Sequence, residues 1–160
     1  EKVLYIVVPV VVFYINLKFM RMKKNKDIIV AVSGYFDPLH IGHLEYFLKA
    51  KELGDILYVI VNSDFQANLK KNTSFMNEND RLEIIQSLKI VDKVFLSIDK
   101  DKSVSNTLKM INPDIFGNGG DQIKGSILEE GICLENNIEI VDCLGKKIRS
   151  SSQITGIKSN

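Results

Sequence analysis

A chain of 160 residues has room for one domain with a real core, and a hydrophobic content of 45% beside 26% charged residues is that of a soluble globular protein. Twenty-one Lys and Arg against 20 Asp and Glu leave a formal net charge of +1, which excludes a general field that would recruit nucleic acid or an anionic membrane. Any anion must be bound locally. The two cysteines, Cys133 and Cys143, have no metal-ligand spacing and read as reduced thiols near the core.

Residues 1–21 stand apart from a domain expected to span residues 22–160. Val3 to Leu17 is apolar except for Asn16, has Pro9 in its middle, and is followed by Lys18, Arg21, Lys23, Lys24 and Lys26. As a helix it would reach only about 22 Å at ~1.5 Å per residue, short of a ~30 Å hydrocarbon core, and Pro9 would kink it. Three readings stand: sequence upstream of a natural start at Met22, a membrane anchor whose trailing cations hold the domain on the cytoplasmic side, or an extra packed strand. Membrane contact is expected only if this stretch is native; otherwise the expected location is the cytoplasm.

From Asp27 onward, strand-like and helix-like segments alternate. Ile28 to Val32 is a continuous apolar run of the kind found in a strand covered on both faces. Gly42 to Leu53 reads as a helix stopped by Gly54, and Ile56 to Val61 as a second buried strand. Phe65 to Asn77 lacks periodicity and reads as a loop. Asn79 to Leu88 is helical, Val94 to Leu96 a short strand, Ser103 to Ile111 a helix with Pro113 beyond its end, and Ile115-Phe116 a fourth strand. Ser126 to Asn136 is a helix, Ile138 to Val141 a fifth strand, and Ser151 to Ile157 a final short helix. The alternation predicts an α/β fold with a doubly wound, five-stranded parallel sheet.

In such a sheet, ligands sit outside the carboxyl ends of the strands. Ser33 to His43 is a strand-to-helix turn there, and a helix N-terminus offers unpaired N–H groups to phosphate. It carries the only two histidines of the chain, His40 and His43, with Gly42 between them. Lys70 and Lys71 follow the second strand. Gly117-Asn118-Gly119-Gly120-Asp121 follows the fourth, either as a turn or as backbone that lets a base or ribose approach. Arg149-Ser150-Ser151-Ser152 opens the last helix, either as caps or as a phosphate cradle.

The run Gly34-x-Phe36-Asp37-x-Leu39-His40-x-Gly42-His43, continued by Ala50-Lys51-x-Leu53-Gly54-Asp55 and Val59-x-Val61-Asn62-Ser63-Asp64, resembles the cytidylyltransferase-like nucleotidyltransferases. Within them the likeness is to glycerol-3-phosphate cytidylyltransferases and to the adenylyltransferase domain of ADP-heptose synthesis enzymes, over roughly Asp27 to Ile157. The resemblance implies a Rossmann-like fold and transfer of a nucleotidyl group from ATP or CTP to a phosphorylated sugar or polyol, with release of pyrophosphate. It implies catalytic roles for His40, His43 and Lys70, and acceptor-phosphate contacts from Lys70 and Lys71. Tyr35, Phe36, Gly42, Gly119, Gly120, Asp121, Arg149, Ser150, Ser151 and Ser152 would hold the nucleotide. Arg81 would support the site, and Asp37 would serve as the nearest carboxylate or order the turn. Mg²⁺ would arrive with the triphosphate, since no carboxylate cluster forms a cage. The expected partners are the nucleoside triphosphate, a small phosphorylated substrate and a second copy of the chain in a homodimer, with no nucleic acid. Heptose-phosphate adenylyl transfer leads, ahead of glycerol-3-phosphate cytidylyl transfer and a non-catalytic nucleotide-binding module. A class I aminoacyl-tRNA synthetase fragment shares the H-x-G-H turn, but the chain lacks a K-M-S-K-type loop.

Overall fold

The apolar run after Asp27 forms the centre of the sheet. The computed structural model describes residues 26–119, 127–144 and 151–156, except for the side chains of Cys143, Ser152 and Gln153. Strand β1 spans Ile29–Gly34, so it carries Ser33 and Gly34 into the sheet beyond the expected end. Successive side chains alternate in a strand, which sends Val30 and Val32 to one face and Ala31 to the other; all three are fully buried. Strand β2 (Ile56–Val61) repeats the pattern. Its Leu57, Val59 and Val61 join Val30 and Val32 in one cluster, while Ile60 joins Ala31 in the other.

Strands β3 (Lys93–Leu96), β4 (Ile115–Gly119) and β5 (Glu139–Leu144) complete a five-stranded parallel sheet of order β3-β2-β1-β4-β5. Helices α1 (Ile41–Lys51) and α3 (Glu78–Gln86) supply Tyr46, Phe47, Ala50 and Ile85 to the first face. Helices α4 (Ser105–Ile111) and α5 (Glu130–Glu135) supply Leu108 and the unpaired Cys133 to the second. Fully burying each large apolar side chain contributes about 1.5–3 kcal/mol, and burial of both faces of β1 is what holds the two helical layers together. This is the doubly wound architecture that the alternating pattern predicts.

Some expectations need correcting. Asp64–Lys71 is a helix, α2, where the missing apolar period predicted a loop. It is fixed at its start by a capping box: Ser63 Oγ accepts from Gln66 N at 3.3 Å, and Gln66 Oε1 accepts from Ser63 N at 3.0 Å. Gly117, Asn118 and Gly119 belong to β4 rather than to a turn after it. Gly54 is not a left-handed helix stop. A Cβ there would come within 2.7 Å of Ile28 O and 2.6 Å of Val30 Cγ2, so close packing against β1 requires the glycine. A last short helix, α6, runs Ser151–Thr155. Among the described residues, no helix is long and apolar enough to cross a membrane. The expectations for residues 1–21 lie outside the described residues.

Candidate active site

The strand order reverses direction at β1, whose neighbours are β2 and β4, so the crevice for a ligand opens at the carboxyl ends of β1 and β4. The turn from β1 into α1 lies there. His40 is the N-cap of α1, in extended conformation, and no acidic residue sits in the helix's first turn to compete for an anion. The rings of His40 and His43 stack with centroids 3.7 Å apart and an interplanar angle of 18°.

His43 Nδ1 accepts a hydrogen bond from His40 N at 3.3 Å. That places the proton of the neutral ring on Nε2, which is left as a donor. Burial, the neighbouring His40 and the charge of Lys71 together lower the His43 pKa from 6.5 to about 3. His43 is therefore a neutral N–H donor at physiological pH, with no need to lose a proton first.

Phe36 holds that ring in place. Its side chain is 2% exposed, lies edge-on to His43 at 5.0 Å and to Phe47 at 5.1 Å, and its φ of 50° is uncommon for an aromatic residue. Such backbone strain costs of order 1–3 kcal/mol and persists where surrounding packing enforces it. Gly34 makes room: a Cβ there would come within 2.8 Å of the Phe36 ring. The side chain of Phe36 is thus a buried prop for the histidine.

Asp37 orders the turn. Its carboxylate, 1% exposed, accepts from Phe75 N at 2.9 Å and Met76 N at 2.7 Å, which ties the α2–α3 connection to the histidine turn. Arg81 makes a second tie. Its side chain is fully buried, and Nη1 donates to Tyr35 O at 2.6 Å and Asn62 O at 2.8 Å. Its Nη2 pairs with Asp64 Oδ1 at 2.6 Å, and its Nε donates to Met76 O at 3.2 Å. The partner is thus on α2, not among the acidic neighbours on its own helix. Asp64 and Glu78 further cap each other's backbone, Asp64 N to Glu78 Oε2 at 2.7 Å and Glu78 N to Asp64 Oδ2 at 3.1 Å. The ends of β1 and β2 and the starts of α2 and α3 are locked into one unit.

Both lysines of α2's last turn face this unit. Lys71 Nζ is 3.5 Å from Asp37 O, beside the histidine turn. Lys70 Nζ lies 4.5 Å above the Tyr35 ring, and burial followed by the charges of Lys71 and Lys102 lowers its pKa. Burial likewise raises the Tyr35 pKa, so its hydroxyl stays protonated. On the far side of the crevice, Gly119 lies under Tyr46, where a Cβ would come within 3.1 Å of the ring. Tyr46 donates its hydroxyl to Gly117 O, and buried Asn118 donates to Asp142 Oδ1 at 3.0 Å. Ser151 Oγ donates to Pro38 O at 3.2 Å, which brings the start of α6 to the histidine turn.

The structure therefore joins Tyr35, His40, Gly42, His43, Lys70, Lys71, Gly119 and Ser151 on one rim. Gly120, Asp121, Arg149 and Ser150, and the side chain of Ser152, lie outside the described residues. Among the described residues, no three His, Cys, Asp or Glu side chains converge to hold a metal. Asp37, the nearest carboxylate, already serves two backbone N–H groups, so the described side chains do not fit a resident Mg²⁺.

A model of cytidylyltransferase-like proteins matches residues 31–149. The chain belongs to the cytidylyltransferase-like family. It is a nucleotidyltransferase with the Rossmann-like fold of that family. A FAD synthase of Thermococcus sibiricus is 39% identical over 124 residues, covering 75% of this chain and 82% of the relative. The bifunctional protein HldE of Nitratiruptor is 38% identical over 78% of this chain, a match that spans only 28% of HldE. Among solved structures, a lipopolysaccharide core biosynthesis protein from Thermoplasma volcanium superposes with a TM-score of 0.63 at 33% identity, over 75% of this chain and 98% of that one.

Proposed function

We propose that this nucleotidyltransferase transfers an adenylyl group from ATP to the phosphate of FMN, forming FAD and pyrophosphate. The observation that carries the transfer chemistry is the stacked histidine pair at the start of α1, with His43 neutral and its Nε2–H free of the intramolecular bond that engages Nδ1. The choice of acceptor is supported by the archaeal FAD synthases, which are 37–41% identical to this chain. It replaces heptose phosphate, the leading expectation from the sequence motifs.

In this reading a phosphate oxygen of the acceptor attacks the α-phosphorus in line. The bond from that phosphorus to the bridging oxygen breaks, and the electron pair leaves with pyrophosphate. The protein's task is to position the two phosphates and neutralise charge. His43 donates to an α-phosphate oxygen as negative charge builds, the backbone at the start of α1 adds its N–H groups, and Lys71 adds a cation beside them. Mg²⁺ belongs to the triphosphate, and no step is routed through it.

A second reading, a sugar phosphate as acceptor, is favoured by the likeness to HldE and to the lipopolysaccharide core biosynthesis protein. Pyrophosphate release, measured with ATP and CTP crossed against FMN, heptose 1-phosphate and glycerol 3-phosphate, separates them. Turnover of ATP with FMN is the expected result. Turnover only with a sugar or polyol phosphate moves the assignment to the second reading, and release with no pair leaves a nucleotide-binding module.

A further inference from the structure

We propose that Lys102, on the connection between β3 and α4, joins Lys70 to form the acceptor-phosphate subsite, while Lys71 faces the phosphate being transferred. This rests on the adenylyltransferase reading above and assigns the acceptor side of that same site. Lys102 belongs to no motif of the sequence and lies on a different connection from the other two lysines.

Its place is fixed through Gln66. That side chain is fully buried on α2, and its Nε2 donates to Asp101 O at 2.8 Å and to Ser103 O at 2.6 Å, the carbonyls on either side of Lys102. The amide oxygen of Gln66 is in turn held by Asn62 Nδ2 at 3.1 Å and Ser63 N at 3.0 Å. Asp101 stiffens the turn by accepting from Ser103 N at 2.8 Å and Ser103 Oγ at 2.7 Å. The exposed Lys102 side chain thus springs from backbone held by Gln66, which lies one helical turn before Lys70 on α2.

Among the described residues, Lys70, Lys71 and Lys102 have no carboxylate within 4 Å, as is also true of Lys100 on the same connection. Glu129, the carboxylate that acts on Tyr35, is engaged by Val104 N at 2.9 Å. Asp101, the nearest acid in sequence, spends its carboxylate on Ser103. The partial negative charge at the end of α2 accounts for cations at Lys70 and Lys71, but not for one brought in from another segment. Crowding is visible at Lys70, whose amine is pushed toward neutrality by burial and by its two lysine neighbours. A phosphate monoester, close to a dianion at neutral pH, relieves that repulsion. The two sites divide by position. Lys71 reaches the carbonyl of Asp37 beside His43, whereas Lys70 lies over the Tyr35 ring, on the helix whose Gln66 holds the backbone around Lys102.

The test compares Lys102→Ala, Lys102→Arg and Lys100→Ala in the full chain. Lys100 shares the connection but lies over the Phe65 ring, so it controls for a diffuse charge effect. Lys102→Ala is expected to raise the acceptor KM about tenfold while kcat and the ATP KM stay within about twofold, and Lys102→Arg is expected to recover most of the loss. An acceptor KM unchanged in Lys102→Ala, or raised equally in Lys100→Ala, overturns the subsite. Calorimetric titration with inorganic phosphate decides the matter even if the wild type turns over no acceptor, an outcome that would sink the function and not the subsite. Weaker phosphate binding in Lys102→Ala than in wild type supports the subsite; equal binding, or none in either, refutes it.

Discussion

The two ends of the same sheet handle charge in opposite ways. At the amino ends of the strands, Asp55 accepts from Ile28 N at 3.0 Å, Asp92 from Leu57 N at 2.6 Å, and Asp114 from Ile29 N at 2.9 Å. Lys51 and Lys26 close onto Asp92 and Asp114. The entries to β1 and β2 thus have their donors satisfied, and Asp92 and Asp114 have their charge neutralised. At the carboxyl ends, carboxylates such as Asp37 and Asp64 face inward onto backbone and Arg81, and the lysines point to the crevice without partners of opposite sign. A closed electrostatic arrangement serves folding; an open one waits for an anion.

The largest effect is expected where the open end is fastened. Arg81→Ala leaves the carbonyls of Tyr35, Asn62 and Met76 and the carboxylate of Asp64 without their partner, and should destabilise the fold by roughly 3–5 kcal/mol. Thermal unfolding should show a drop of about 10 °C or more for a chain of this size. A shift of only a degree or two would mean that Asp37 alone holds the unit together.

His43→Ala comes next and acts on rate instead. Loss of a donor that matters only as charge develops should cost about 10²–10³ in kcat, roughly 2.7–4 kcal/mol, with little change in the ATP KM. If KM rises and kcat is untouched, the pair serves ground-state binding.

His43 also ties the stability of the open end to pH. His43 has a pKa of about 3 in the folded chain against an ordinary 6.5, so the unfolded chain takes up the proton first. Stability from this group is therefore lost as pH falls from 6.5 toward 3, by at most about 1.4 kcal/mol per pH unit and less for a partly exposed ring. His43→Gln should remove that slope. Asp92 and Asp114, whose pKa values are held below 3.8, add a loss at lower pH that is common to both proteins. Urea midpoints at several pH values between 7 and 4 check this, and parallel curves for wild type and variant contradict it.

The smallest effect belongs to the closed end. Asp114→Asn keeps an acceptor for Ile29 N but loses the charge opposite Lys26, and should cost about 0.5–1 kcal/mol. Turnover should not change, and a fall in kcat would mean that the two ends are coupled.

What could be read from the residues alone was whatever is local in the chain. Val30 to Val32 announces a doubly covered strand, and His40-x-Gly42-His43 after it announces a phosphate-binding turn, because each signal is complete within a few residues. Helix α2 was missed because its apolar residues Phe65 and Leu69 stay exposed and no stripe faces the core. The Ser63-x-x-Gln66 capping box was the available clue. The partners of Arg81 and Asp37 could not be read at all, since Tyr35 lies 46 residues from Arg81 and Met76 lies 39 from Asp37. Nor does sequence show that the Phe36 ring packs edge-on against His43 and Phe47.

The grip of Asp37 on two successive N–H groups also constrains how this protein can diverge. Connections between helices ordinarily tolerate insertions, and the stretch from Asn72 to Asn77, in which Phe75 is 58% exposed, looks like such a place. Yet adding one residue before Phe75 would put a different pair of amides in front of the carboxylate and shift the chain entering α3. The count of residues there acts as a ruler. Length variants should accumulate elsewhere on the surface, and a graft that changes this spacing should misplace the histidine turn without altering a single residue in it.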